Sequence, residues 1–156
     1  MSEPIYLEDL KVGDTFVSAQ HALDTQQIVR FASEFDPQPF HLDDDLAQDT
    51  FFEGLAASGW HTAAITMKLL VGSLPFARGL IGANVDVTWP KPTRPGDVLS
   101  VHSTVVEVAP SRSRPDRGIV VIDCITRNQR DETLQRMTTK ILCFRRGEQG
   151  TGGRAE

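Results

Sequence analysis

Over residues 55–77 the chain carries one formal charge, Lys68. The stretch is long enough to cross a membrane, but Ser58, Gly59, His61, Thr62, Thr66, Gly72 and Pro75 interrupt it with more polar groups than a spanning helix keeps. It therefore reads as a helix inside a soluble fold, over about residues 58–71, with Gly72 as its C-cap. Apolar or small residues stand on every side, so the helix is expected to be buried all round. Ala56, Ala57, Ala63 and Ala64 leave room for other backbone to come close. Whatever else the chain builds has to enclose this helix.

The material to enclose it follows directly and reads as β. Val85, Val87 and Trp89 alternate with Asp86 and Thr88 until Pro90-Lys91-Pro92 ends the run. Pro95-Gly96 marks a turn, and residues 98–108 form a long β-branched stretch. Residues 119–126 are apolar on both faces, as a central strand would be. Met137, Thr139, Ile141 and Cys143 alternate with Arg136, Thr138 and Lys140, giving one buried and one wet face. Ahead of the uncharged helix, a lead-in over 1–12 and a strand over 14–22 are expected. Asp24 then caps a second helix, with Gln27 at the capping-box position and an apolar face of Ile28, Phe31, Ala32 and Phe35. That helix stops at Asp36, because Pro37 pushes its predecessor out of the α region. Residues 36–54 read as mostly loop, with Asp43, Asp44 and Asp45 opening a short helical turn. The expected fold class is α+β: one curved antiparallel sheet wrapped around one long buried helix. Residues 1–146 make a single domain, and the Gly-rich stretch 147–156 a disordered tail.

Charge and composition narrow the function. A net charge of -5 and an isoelectric point near 5.3 argue against a nucleic-acid partner, whose phosphates would be repelled. Cys124 and Cys143 are too few for a disulfide framework and lack metal-ligand spacing. No basic stretch followed by an apolar core opens the sequence, so a cytoplasmic location and no membrane association are the expectation. No Gly-rich nucleotide loop suggests a redox cofactor.

The densest chemical signal is Phe35-Asp36-Pro37-Gln38-Pro39-Phe40-His41. A carboxylate and an imidazole stand five residues apart on a segment that two prolines deny regular structure and hold in few conformations. Imidazole trades protons with water near neutral pH, so such a pair suits work on one small molecule. Taken singly, each residue is ordinary: Asp before Pro is turn chemistry, and a loop His is usually a surface residue. A second feature strengthens the pair. The helix that begins at Ser58-Gly59 aims free backbone N–H groups and the positive end of its dipole at whatever lies there, a sensible oxyanion hole for a carbonyl. His61, just inside that helix, reads as a buried, hydrogen-bonded structural residue. A metal centre of Asp36, His41 and His61 matches no particular motif, and none is expected. Trp89 belongs to the core or an interface; Trp60 lines a pocket beside Gly59 or packs in the core.

These residues resemble a known family. Phe31 and Asp36-Pro-Gln-Pro-Phe-His41, followed by Ala57-Ser58-Gly59-Trp60-His61, are similar to the MaoC-like dehydratases, the (R)-specific enoyl-CoA hydratases of the hot-dog fold. Their signature is Asp, one variable residue, Asn, Pro, an aliphatic residue and His. The likeness covers about residues 10–146, including the turn Thr93-Arg94-Pro95-Gly96-Asp97. It implies that Asp36 and His41 hold one water and add it syn across a trans-2-enoyl thioester, giving an (R)-3-hydroxyacyl product, or run the reverse. His41 is then the base toward water, and Asp36 orients it or handles the proton at C2. The Gly59 N–H serves as oxyanion donor, while Ser58, Gln38, Phe40 and Trp60 contact substrate. The resemblance further implies an acyl-CoA substrate, no cofactor beyond coenzyme A as part of it, and a homodimer or dimer of dimers. Lys91, Arg94 and the basic loop 111–117 are candidates to meet the coenzyme A phosphates, although a solvated turn is the plainer reading of the loop. Gln38 where the signature has Asn, and Ser58 where many relatives have His, leave acyl preference open. Rival readings are a hot-dog thioesterase and a non-catalytic acyl-CoA binding module.

Overall fold

The long strands pack on one side of the helix. The computed structural model describes residues 2–147; the tail expected over 147–156 lies, Gly147 apart, outside them. Strands β1 (Thr15–Val17), β2 (His21–Ala22), β3 (Ile81–Thr88), β4 (Val98–Pro110), β5 (Arg117–Arg127) and β6 (Thr133–Phe144) form one antiparallel sheet. Its order is β1-β4-β5-β6-β3, with β2 also on β4, so the strand that reads as central is central. Val120, Ile122, Cys124 and Thr126 of β5 are fully buried on one face. β6 alternates as its sequence does, with Met137, Thr139, Ile141 and Cys143 inside and Arg136, Thr138 and Lys140 outside. This is the α+β hot-dog arrangement.

Helices α1 (Thr25–Phe35), α2 (Pro39–Leu42), α3 (Asp44–Ala47) and α4 (Gly59–Ser73) complete the chain. α4 is the nearly uncharged helix, and Ile65, Leu69 and Leu70 join the core with Val101, Val105 and Ile122 of the sheet. Two expectations about it are corrected. The helix continues through Gly72 and ends at Leu74 (φ −121°, ψ 80°), because Pro75 forbids its predecessor an α conformation. It is also not buried all round: Trp60, Ala64, Met67, Lys68 and Val71 form an exposed stripe, since the sheet covers only one side.

Other differences have local causes. The strand expected over 14–22 is cut in two at Ser18, whose hydroxyl accepts the Val101 N–H (2.8 Å) in place of a backbone carbonyl. Asp24 caps α1 by accepting the Gln27 N–H (2.9 Å), but the Gln27 side chain turns to Ala22 and His21 instead of closing the box. In the apolar face of α1, Ile28 and Ala32 are buried, whereas Phe35 is 69% exposed at the helix end. The segment after Asp36 is more regular than expected. Pro39 occupies the first position of α2, where its missing N–H is no loss, and Asp43 caps α3 by accepting the Leu46 N–H (3.1 Å). Among the described residues no helix is long and apolar enough to cross a membrane.

Candidate active site

Three chain segments converge at the N-terminus of α4. Asp36 is the C-cap residue of α1, its N–H still bonded to the Ala32 carbonyl (2.9 Å). The α2 turn then brings His41 back beside it. His41 is 4% exposed, and its Nδ1 lies 2.6 Å from the Ala56 carbonyl oxygen. A carbonyl only accepts, so Nδ1 carries a proton and, in the neutral ring, Nε2 presents a lone pair. That Nε2 is 3.3 Å from Asp36 Oδ2. The Ala56 N–H returns a bond to the Phe40 carbonyl (3.1 Å), which ties the α2 turn to the segment entering α4.

The carboxylate of Asp36 is held from both oxygens. Ser58 Oγ donates to Oδ2 (2.7 Å) and Gln38 Nε2 to Oδ1 (2.5 Å). Burial pushes this carboxyl up, but the bonds from Ser58 and Gln38 and the neighbouring His41 outweigh it and leave it below the usual carboxylate value. The group therefore stands ionised against an imidazole. Ser58 is at once the N-cap of α4, accepting the Trp60 N–H at 3.3 Å. Changing Ser58→Ala should cost about 1 kcal/mol of stability through the lost cap. It should also relax Asp36 upward, moving the acid limb of any Asp36-dependent rate to higher pH; a pH–rate profile against thermal unfolding separates the two effects.

The Gly59 N–H, first in α4, has no partner among the described residues. It borders a cavity of about 410 Å³ that is also lined by His41, Ala57, Thr62, Trp89 and Thr93. Phe52 closes another wall, its ring 5.8 Å from His41 and 4.9 Å from Phe40. His41, whose Nε2 is a base when the ring is neutral, and Gly59, whose N–H has no partner among the described residues, thus line one mostly apolar space. Such a site can take a proton from a small molecule while stabilising negative charge on a carbonyl oxygen.

The expected contact residues stand differently. None of Ser58, Gln38, Phe40 and Trp60 lines this cavity. Ser58 and Gln38 are spent on Asp36, Phe40 packs edge-on against His41 (4.6 Å), and Trp60 is 63% exposed with its ring against Trp89 (5.4 Å). Trp89, Thr62 and Thr93 line it instead. Thr62 could have been found from the helical spacing, three residues after Gly59. Arg94 is committed elsewhere: its guanidinium donates to the Gly54 (2.9 Å), Leu55 (3.2 Å) and Phe52 carbonyls, fixing the loop that carries Phe52. Lys91 lines the cavity but pairs with Glu132 (2.6 Å). Among the described residues no three His, Cys, Asp or Glu side chains converge, so Asp36, His41 and His61 make no metal centre.

The model of the MaoC like domain family matches residues 10–125. The chain belongs to the MaoC-like family. The protein YdeM of Bacillus subtilis (strain 168) is 32% identical over 127 residues, covering 80% of this chain and 89% of that one. The (R)-specific enoyl-CoA hydratase of Rhodospirillum rubrum is 31% identical over 108 residues, covering 69% and 74%. The crystal structure of a MaoC-like dehydratase from Rhodospirillum rubrum matches at a TM-score of 0.90 and 58% identity, covering 92% of this chain and 99% of that one.

In this MaoC-like chain His61 is buried as expected but less well bonded. It stacks face to face on Phe31 (4.5 Å, 3°), and its Nδ1 is buried without a hydrogen-bond partner. Burial, with His21 nearby, pulls its pKa from 6.5 down to about 4. Between those values the unfolded chain binds a proton that the folded one refuses. Stability from this residue is therefore full above about pH 6.5 and declines as pH falls toward about 4. His61→Phe should flatten that decline by on the order of 2 kcal/mol, read as denaturation midpoints across the window.

Proposed function

We propose that this protein is a hydro-lyase that reversibly adds water to a trans-2-enoyl-CoA thioester, giving the (R)-3-hydroxyacyl-CoA. The observation that carries the reading is the proximity of His41 Nε2 to Asp36 Oδ2, 3.3 Å, with the unspent Gly59 N–H on the same cavity as His41. Its likeness to the (R)-specific enoyl-CoA hydratase of Rhodospirillum rubrum agrees. His41 Nε2 takes one proton from water as the water oxygen bonds to C3, and the C2–C3 π pair shifts toward the thioester carbonyl. The Gly59 N–H donates to that oxygen while it carries charge. The Asp36 carboxylate stabilises the imidazolium, which returns the proton to C2. Hydroxyl and proton arrive from one pair of side chains, hence on one face, so the addition is syn. No cofactor beyond the coenzyme A of the substrate takes part.

The test is enoyl absorbance of crotonyl-CoA with purified protein, followed beside a free-thiol assay. Absorbance that falls without thiol release, with (R)-3-hydroxybutyryl-CoA as product, supports hydration. Thiol release would replace this reading with hydrolysis.

The working unit in this proposal is a homodimer. β3 is an edge strand of eight residues whose side chains are nearly all exposed, Ile81 and Val85 among them, and Val85 shares a small cavity with Met67 of the exposed stripe of α4. An exposed apolar strand edge is a surface for another copy. Val85→Lys should shift sedimentation toward monomer.

A further inference from the structure

Trp89 is held in a way that burial alone does not explain. The residue is 41% exposed, yet its indole is held by two separate contacts, a hydrogen bond and a close packing contact. The ring nitrogen donates to Gln135 Oε1 (2.9 Å). On the other side the fused ring bond lies against Gly59 so closely that a Cβ there would sit 2.7 Å from Cε2 and 2.9 Å from Cδ2. Gln135 is itself fully buried in β6, where an amide is costly unless bonded. Its nitrogen donates to Thr66 Oγ1 (3.1 Å), whose hydroxyl also meets Thr126 Oγ1 (2.7 Å) and the Thr62 carbonyl (2.8 Å). A buried polar chain thus runs from the indole to the helix whose first N–H borders the cavity. Leu or Met at position 135 would fill the space but could not join the indole N–H to the Thr66 hydroxyl, as the amide does.

The same ring lines the cavity with His41 and lies against Gly59 itself, so it stands beside any carbonyl that bonds the Gly59 N–H. The Thr62 and Thr93 hydroxyls bond each other (2.9 Å), which spends one of their two O–H donors, while Ala57, Phe52 and Trp89 supply apolar wall. Resting on the enoyl-thioester reading, we infer that Trp89 is the specificity-determining wall for the acyl group, and that Gln135 is the positioning residue that locks the wall. Trp89→Val opens space beside the thioester; Trp89→Phe keeps most of the wall; Gln135→Met leaves the wall but frees it to turn.

The experiment measures Kd of saturated butyryl-CoA and octanoyl-CoA by calorimetry, and kcat/KM for the matching trans-2-enoyl-CoAs, in wild type and these variants. The expected result is a shift of the octanoyl-to-butyryl affinity ratio by ten-fold or more in Trp89→Val and less than three-fold in Trp89→Phe. Gln135→Met should shift the ratio two- to five-fold and weaken the near-ultraviolet dichroism of the indole at unchanged helix content. Ratios within two-fold of wild type in folded Trp89→Val overturn the inference, as does an equal loss for both esters, which would put the ring against the carrier. A wild type that binds acyl-CoA but hydrates none sinks only the hydratase reading, because the Kd ratios still decide the wall. Failure to bind either ester overturns both.

Discussion

Asp36→Asn should lower turnover of enoyl-CoA by about 10²–10⁴-fold while the protein folds as before. Asparagine fills the same space and keeps an oxygen for one of the two donors, Ser58 Oγ and Gln38 Nε2, that hold the carboxylate. What disappears is the negative charge 3.3 Å from His41 Nε2, and with it the stabilisation of an imidazolium. His41→Gln should fall by a similar factor, since Gln retains a donor for the Ala56 carbonyl but offers no base. Because the two groups act as a pair, the double variant should be little worse than either single one. Stability provides a second readout. The folded state lowers the Asp36 carboxyl, so its contribution is present above the unfolded carboxylate value and disappears as pH falls through the folded one. Wild type should thus exceed Asp36→Asn in denaturation midpoint at neutral pH and meet it in acid. Equal turnover in the two proteins would remove Asp36 from the reaction.

The sheet was largely legible because its information is local. In β6 the period of two appears residue by residue, and the helix face of Ile28 and Ala32 follows from spacing alone. The closeness of Asp36 and His41 is local in the same way: the short helix α2, which starts at Pro39, brings the two side chains together. The exposed stripe on α4 was not, since Met67 and Val71 are as apolar as Leu69 and Leu70, and only the position of the sheet separates them. Nor was the place of Trp89. Its partner Gln135 is 46 residues away on the adjacent strand, and no pattern within either strand marks the pairing. Ser58 and Gln38 read as substrate contacts because they neighbour the chemistry in sequence; in space they hold the carboxylate and leave the cavity wall to other elements.

The oxyanion donor can be tested without removing it. Gly59→Ala keeps the backbone N–H, yet its methyl would enter the Trp89 ring at 2.7 Å, and the ring cannot step aside while Gln135 grips its nitrogen. Overpacking of this kind costs about 1–3 kcal/mol and moves the start of α4. A displaced oxyanion donor costs about 10²–10³ in kcat, so Gly59→Ala should lose both stability and rate. The combination Gly59→Ala with Trp89→Val supplies the missing space. If the harm in Gly59→Ala is steric, the pair should couple favourably, with unfolding midpoint and crotonyl-CoA turnover both recovering toward the Trp89→Val level. If alanine instead blocks the approach of a carbonyl to the N–H, stability recovers and turnover does not. A Gly59→Ala protein destabilised by the clash yet as active as wild type would argue that the oxyanion does not form at the N–H of position 59.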